Sequence, residues 1–181
     1  QSYYLPTPET GYMSVTINGQ GLGLYTSVES INKSFLLKHF GNSNGSFFKC
    51  EPQFLFGQEY DAWPNLAWHG EDSLNYDYQM GYELKSENGW SDLLELIYTL
   101  NYDTENINNI LNVDRALWYL ASSTVTPDLD AYTGMYVHNY YLYKNTETNL
   151  FEIIPCDKDQ TFGNTMVNTL IQWGGNASWV Y

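Results

Sequence analysis

Residues 139 to 154 constrain this chain more than any other stretch. Asn139-Tyr140-Tyr141-Leu142-Tyr143-Lys144 leads into a polar turn, Asn145-Thr146-Glu147-Thr148-Asn149, and Leu150-Phe151-Glu152-Ile153-Ile154 returns. Both arms are aromatic or β-branched, which suits a pleated, half-buried surface, so the spacing predicts a two-stranded antiparallel ribbon. A ribbon folded back on itself brings its open ends together. Here those ends carry polar groups. Asp128 and Asp130 lie upstream, His138 and Asn139 stand at the entrance, and Asp157 and Asp159 follow Pro155 at the exit. Several oxygen donors in one place are what a hard cation such as Mg²⁺ requires. A structural Ca²⁺ loop, or plain solvated turns, fits the same spacing.

The rest of the chain reads as strands, then helices, delivered to that ribbon. After an irregular lead-in through Pro6, Pro8 and Gly11, Tyr12 to Ile17 alternates and predicts a strand with one buried face. Asn18-Gly19 supplies a tight turn and Leu22 to Val28 returns; that turn explains glycines 19, 21 and 23 without a phosphate-cradling role. Ser27 or Ser30 is the expected cap of a helix running to Phe40, stopped by Gly41, with Glu29 in its dipole-favoured first turn. Phe47-Phe48-Lys49 is a short strand. Residues 51 to 90 show the least periodicity, and their Trp63, Trp68, Tyr76 and Tyr78 suit either core packing or sugar stacking. Ser91 is expected to cap a helix bearing Leu93, Leu94, Ile97 and Leu100, and a short helix runs from Thr104 to Leu111. Asn112 caps another helix to about Ser122, with Val113, Ala116, Leu117 and Leu120 on its buried side. This order predicts an α+β fold, not a wound parallel sheet.

Charge narrows the partners. Seven Lys plus Arg stand against 21 Asp plus Glu, a net charge of −14, which argues against nucleic acid or an anionic membrane. A polyphosphate here needs a cation or a local basic cluster. The length of 181 residues suits one domain, and no apolar run of ~18 residues is present to span a bilayer. The first residues lack a basic and an apolar region, so this span shows no signal peptide. Cys50 and Cys156 read either as a disulfide or as two buried thiols. The acceptor patterns at Asn32, Asn44 and Asn176 are what chance gives an Asn-rich chain. Rich in Tyr, Trp and Asn and poor in Lys, the surface suggests a bacterial extracellular or cell-surface protein.

Leu129-Asp130-Ala131-Tyr132-Thr133-Gly134, His138-Asn139-Tyr140-Tyr141-Leu142-Tyr143 and Ile154-Pro155-Cys156-Asp157-Lys158-Asp159-Gln160-Thr161-Phe162-Gly163 together resemble the CotH (spore-coat protein H) family. The resemblance extends to Ile17-Asn18-Gly19-Gln20-Gly21-Leu22-Gly23-Leu24-Tyr25, Glu29, Phe48-Lys49, Tyr82-Glu83-Leu84-Lys85 and Leu117-Trp118-Tyr119-Leu120-Ala121. One departure is Cys156, where the family commonly has Trp.

The resemblance implies a single CotH-like domain over residues 1–181, with an atypical protein-kinase-like fold of which part lies upstream and more can follow residue 181. It implies an ATP- and Mg²⁺-dependent protein kinase acting on Ser or Thr of an extracellular or surface-assembly protein. In that reading Asp130 orients the acceptor hydroxyl, Asp157 is catalytic and holds metal with Asn139 and Asp159, and Glu29 and Lys49 serve the nucleotide, Glu29 by orienting a lysine. Ca²⁺ is the alternative ion. The alternative function is a non-catalytic secreted module that binds an assembly partner or carbohydrate.

Overall fold

The computed structural model describes residues 4–53, 62–158 and 161. Its first element is an antiparallel ribbon, β1 (Thr10–Ile17) and β2 (Gln20–Val28), turning at Asn18 and Gly19 with φ of 52° and 82°. The Asn-Gly turn thus forms as expected. The buried face does not. Only Val15 and Ser27 are half-buried, and Tyr12 and Leu24 are 79% and 71% exposed. Alternation fixes which side chains share a face; it does not supply a layer to cover that face.

Helix α1 (Lys33–Phe40) begins later than the sequence suggested. Asn32, not Ser27 or Ser30, caps it: Asn32 Oδ1 accepts the Ser34 and Phe35 N–H groups at 2.8 and 3.2 Å. Glu29 therefore stands ahead of the helix, outside the reach of its dipole. Gly41, at φ 76°, ends the helix as expected.

The central sheet is four-stranded and antiparallel, in the order β4-β3-β5-β6. Its strands are β3 (Phe47–Cys50), β4 (Tyr82–Leu84), β5 (Tyr140–Asn145) and β6 (Leu150–Pro155). Both β4 and the short α2 (Tyr76–Gly81) fall in the stretch that showed no periodicity. Elements of six and three residues are too brief to display one. Successive residues of the sheet enter different cores. Phe48, Leu142 and Ile153 join Tyr78, Tyr119 and the Leu93, Leu96 and Ile97 side chains in one cluster. Phe47, Tyr143 and Ile154 join Phe35, Leu36 and Phe40 of α1 in the other. The sheet is thus covered on both faces, and the fold is α+β.

Helix α3 (Trp90–Tyr102) has Gly89 at its cap position, two residues ahead of the expected Ser91. A 3₁₀ turn (Thr104–Asn109) links it to α4 (Val113–Val125). Asn112 caps α4 as predicted, accepting the Arg115 N–H at 3.2 Å. Leu117 is 59% exposed and not part of the buried side, which Tyr119 and Ser123 provide. Arg115 Nη1 meets Glu152 Oε2 at 3.0 Å, and the Asn112 amide donates to the same carboxylate at 3.0 and 3.2 Å. Glu152 is only 2% exposed, so these groups replace the water it lost. Both cysteines are free thiols. Cys50 pairs with Tyr140, and Tyr140 with Pro155 beside Cys156, so a whole strand separates them. Two strand spacings exceed the ~7 Å that a disulfide spans between Cα atoms.

No helix among the described residues is long and apolar enough to cross a membrane. Of the four rings considered for sugar stacking, Tyr78 is buried and Tyr76 is exposed, while Trp63 and Trp68 are half-buried. Trp68 packs edge-on against Tyr98 and Tyr102, which is core-like packing and not a flat platform.

Candidate functional site

The open end of the β5–β6 hairpin gathers polar groups because the backbone bends sharply on both sides of it. Asn139 precedes β5 with φ 57°, and Asp157 follows β6 with φ 44°. Asn and Asp tolerate this left-handed region better than other residues that carry a Cβ. The Cys156 N–H donates to the Asn139 carbonyl at 3.2 Å, so the two bends are tied together.

Behind Asn139 stands Asp130. Asn139 Nδ2 donates to Asp130 Oδ2 at 3.0 Å, and His138 Nε2 meets Asp130 Oδ1 at 2.8 Å. His138 Nδ1 is buried with no hydrogen-bond partner, so the proton of a neutral ring belongs on Nε2, where it donates to Asp130. The loop carrying Asp130 is itself close-packed. Tyr136 N–H donates to Leu129 O at 3.1 Å, and a Cβ on Gly134 would lie 2.2 Å from that oxygen, so only glycine fits there.

Asp128 does not join this group. Its buried carboxylate takes Lys158 Nζ, which also donates to Ser123 Oγ at 3.2 Å and lies 5.1 Å above the Tyr119 ring. Asp157 and Lys158 thus serve different places: Asp157 lines an open cleft, and Lys158 pins the exit loop to α4. Asp159 falls outside the described residues.

The cleft, about 430 Å³, lies between the base of the ribbon and the sheet. Pro8, Val28 and Glu29 border it on one side, and Lys49, Glu51, Asn139, Tyr141, Cys156 and Asp157 on the other. A second, less polar hollow of about 580 Å³ adjoins it and shares Pro8, Val28, Cys156 and Asp157. Glu29, Lys49, Asn139 and Asp157, which the resemblance to the family placed in one site, line one cleft. Asp130 does not line it and sits one hydrogen bond behind Asn139.

Lys49 is paired with Glu51. Burial pulls the ammonium pKa down, but the hydrogen bond and charge of Glu51 outweigh it and hold the pKa above its usual value. Glu29 pairs with Lys38 of α1, at 2.9 Å, a lysine that does not line the cleft. Lys38, with the Glu9 N–H at 3.1 Å, holds the Glu29 carboxyl below its usual pKa. The Cys156 thiol is pushed up to about 12, first by burial and then by the Asp157 charge.

The donor set suits a hard cation in kind, with an amide oxygen from Asn139 and a carboxylate from Asp157. Among the described residues, however, no three His, Cys, Asp or Glu side chains gather at metal-ligand spacing. The hairpin mouth offers these two donors, and Mg²⁺ commonly completes its shell with waters and substrate phosphates. Sequence reasoning missed Glu51, Lys38 and the Lys158 anchor. Glu51 was legible, since a residue two places after Lys49 on a strand faces the same way. Lys38 and Lys158 were not, because their partners are distant in sequence.

A family model described as CotH kinase protein matches residues 1–179. The chain is also similar to the inner spore coat protein H of Bacillus subtilis (strain 168), at 28% identity over 165 residues. That alignment covers 87% of this chain and 42% of the relative, so the chain spans less than half of the relative's length.

Proposed function

We propose that this chain, which belongs to the CotH kinase protein family, binds Mg²⁺ and ATP in its cleft and transfers phosphate to a protein hydroxyl. The observation that carries the reading is that Asn139 and Asp157, at the two left-handed bends of the hairpin mouth, line one cleft with Glu29 and Lys49. Phosphoryl transfer asks the protein for position and charge, not covalent chemistry. An atypical kinase-like fold supplies both in this reading. Asn139 and Asp157 would hold the ion, with Asp159 as a further ligand, and the ion would offset the phosphate charge. Lys49 faces the phosphates. Asp130, held by His138 and Asn139 one hydrogen bond behind the cleft lining, orients an acceptor hydroxyl that reaches past Asn139. It takes the proton as the hydroxyl oxygen bonds the γ-phosphorus and the bond to the bridging oxygen breaks, releasing ADP. The acceptor is a Ser or Thr of a surface-assembly protein, consistent with the spore-coat name of the relative, and an extracellular or cell-surface location follows.

One observation favours a second reading. Six of the seven basic side chains are committed to carboxylates: Lys38, Lys49, Lys85, Arg115, Lys144 and Lys158. A cleft this poor in unengaged cations suits a non-catalytic assembly module as well. Calorimetry of ATP binding by the full-length protein, with and without Mg²⁺, separates the two. The kinase reading expects Mg²⁺-dependent binding that Asp157→Asn abolishes while the fold persists. No nucleotide binding by the wild type leaves the assembly module. Unfolding of Asp157→Asn only where Ca²⁺ stabilises the wild type makes the acidic loop a structural calcium site.

A further inference from the structure

Lys49 is the one cation lining the cleft among the described residues, and its ammonium is already occupied. The occupant, Glu51, lines the same cleft, with side chains 33% and 24% exposed for Lys49 and Glu51. Strand geometry makes this pairing persistent. Lys49 ends β3 with Cys50, and Glu51 follows with its N–H donating to Gly81 O at 3.2 Å, so both side chains leave the same face of a fixed backbone. The other acidic neighbours have partners of their own. Glu29 holds Lys38, and Glu83, opposite Lys49 in the sheet, holds Lys85 at 3.0 Å. In the adjoining hollow Lys158 is turned away onto Asp128.

An anion entering the cleft therefore meets Glu51 in the place it would take on Lys49, with Glu29 and Asp157 close by. Resting on the reading of Lys49 as the phosphate-facing residue, we infer that Glu51 is an electrostatic gate that makes the cleft select metal-bound over metal-free polyphosphate. A bare polyphosphate must displace one carboxylate and then stand among three. A polyphosphate carrying a divalent cation brings a positive charge that those carboxylates attract, and Glu51 can release Lys49 without being left beside an uncompensated anion. The gate explains how a cleft in a chain of net charge −14 can accept phosphate at all.

Binding of pyrophosphate, with and without Mg²⁺, is measured by calorimetry on the full-length wild type, Glu51→Gln, Lys49→Met and the double variant. Pyrophosphate isolates the anion site from nucleotide recognition and catalysis. Glu51→Gln, which keeps size and loses charge, is expected to tighten metal-free pyrophosphate about tenfold while changing the magnesium form little. The gain should vanish in the double variant, because it acts through Lys49. Unchanged or weaker metal-free binding in Glu51→Gln overturns the gate, as does a gain that survives Lys49→Met. A loss confined to the magnesium form makes Glu51 a metal ligand and overturns it too. If the selectivity shifts as expected but ATP is never turned over, the gate stands and the phosphotransfer reading falls. If the wild type binds neither form, the gate falls.

Discussion

The Asn139 carbonyl accepts the Cys156 N–H at 3.2 Å just outside the Tyr140–Pro155 pair, and both Asn139 and Asp157, the residue after Cys156, have left-handed backbones. Two such residues bracketing one hairpin end are uncommon, because the left-handed region disfavours any residue with a Cβ by about 1–2 kcal/mol. The surrounding contacts must hold them there, and backbone strain of this kind concentrates at functional sites.

Substitutions at Asn139 test that arrangement. Asn139→Gly removes the bond to Asp130 but relaxes the backbone, whereas Asn139→Ala removes the bond and adds strain. Thermal or urea unfolding should show Asn139→Ala less stable than Asn139→Gly by about 1 kcal/mol. The reverse order would mean that the left-handed turn does not persist in solution.

The buried Glu152 gives a second test, remote from the cleft. Its charge is satisfied by Arg115 and Asn112, so Arg115→Ala leaves a carboxylate 2% exposed with only the Asn112 amide. Loss of one partner of a buried ion pair is expected to destabilise by about 3 kcal/mol. Glu152→Gln, which needs no counter-charge, should lose less, and adding it to Arg115→Ala should recover part of the loss. Simple additivity in denaturant unfolding would refute this coupling.

The exposed β1–β2 ribbon predicts uneven protection. Among the described residues no layer covers this two-stranded ribbon, which by itself is marginal in water, whereas β5 is sandwiched between β3 and β6 with both faces packed. Amide hydrogen exchange should therefore be fast in Thr10–Val28 and slow in Tyr140–Asn145. Equal protection of the two would show that something covers the ribbon.

These contrasts mark what was legible in the sequence. The hairpin at 139–154 was, because its turn and aromatic arms act locally, and so was the Asn112 cap. The shared cleft of Glu29, Lys49, Asn139 and Asp157 followed from the resemblance more than from spacing. What stayed hidden depended on distant layers: the bareness of Tyr12 and Leu24, the exposure of Leu117, and the diversion of Asp128 to Lys158. Alternation and helical period report which residues share a face, and only the assembled fold decides what that face meets.

Cys156 offers a readout of the cleft that needs no activity. Burial and the neighbouring Asp157 push its thiol from an ordinary 9.0 up to about 12. The thiolate is the reactive form, so alkylation by iodoacetamide near neutral pH should be slower than for a free cysteine by about a hundredfold to a thousandfold. Asp157→Asn removes one of the two largest causes and should speed the reaction, with no ligand present. The same shift sets a pH dependence of stability. Below pH 9.0 both the folded and the unfolded thiol keep their proton, and nothing is lost. Between 9.0 and about 12 the unfolded chain sheds the proton that the folded chain keeps, so stability falls as pH rises. The contribution of this one group is about 1.4 kcal/mol per pH unit, and Cys156→Ser should remove it from the alkaline limb of the stability curve. Fast alkylation at neutral pH, indifferent to Asp157→Asn, would mean that Cys156 is solvated and that Asp157 does not lie against it.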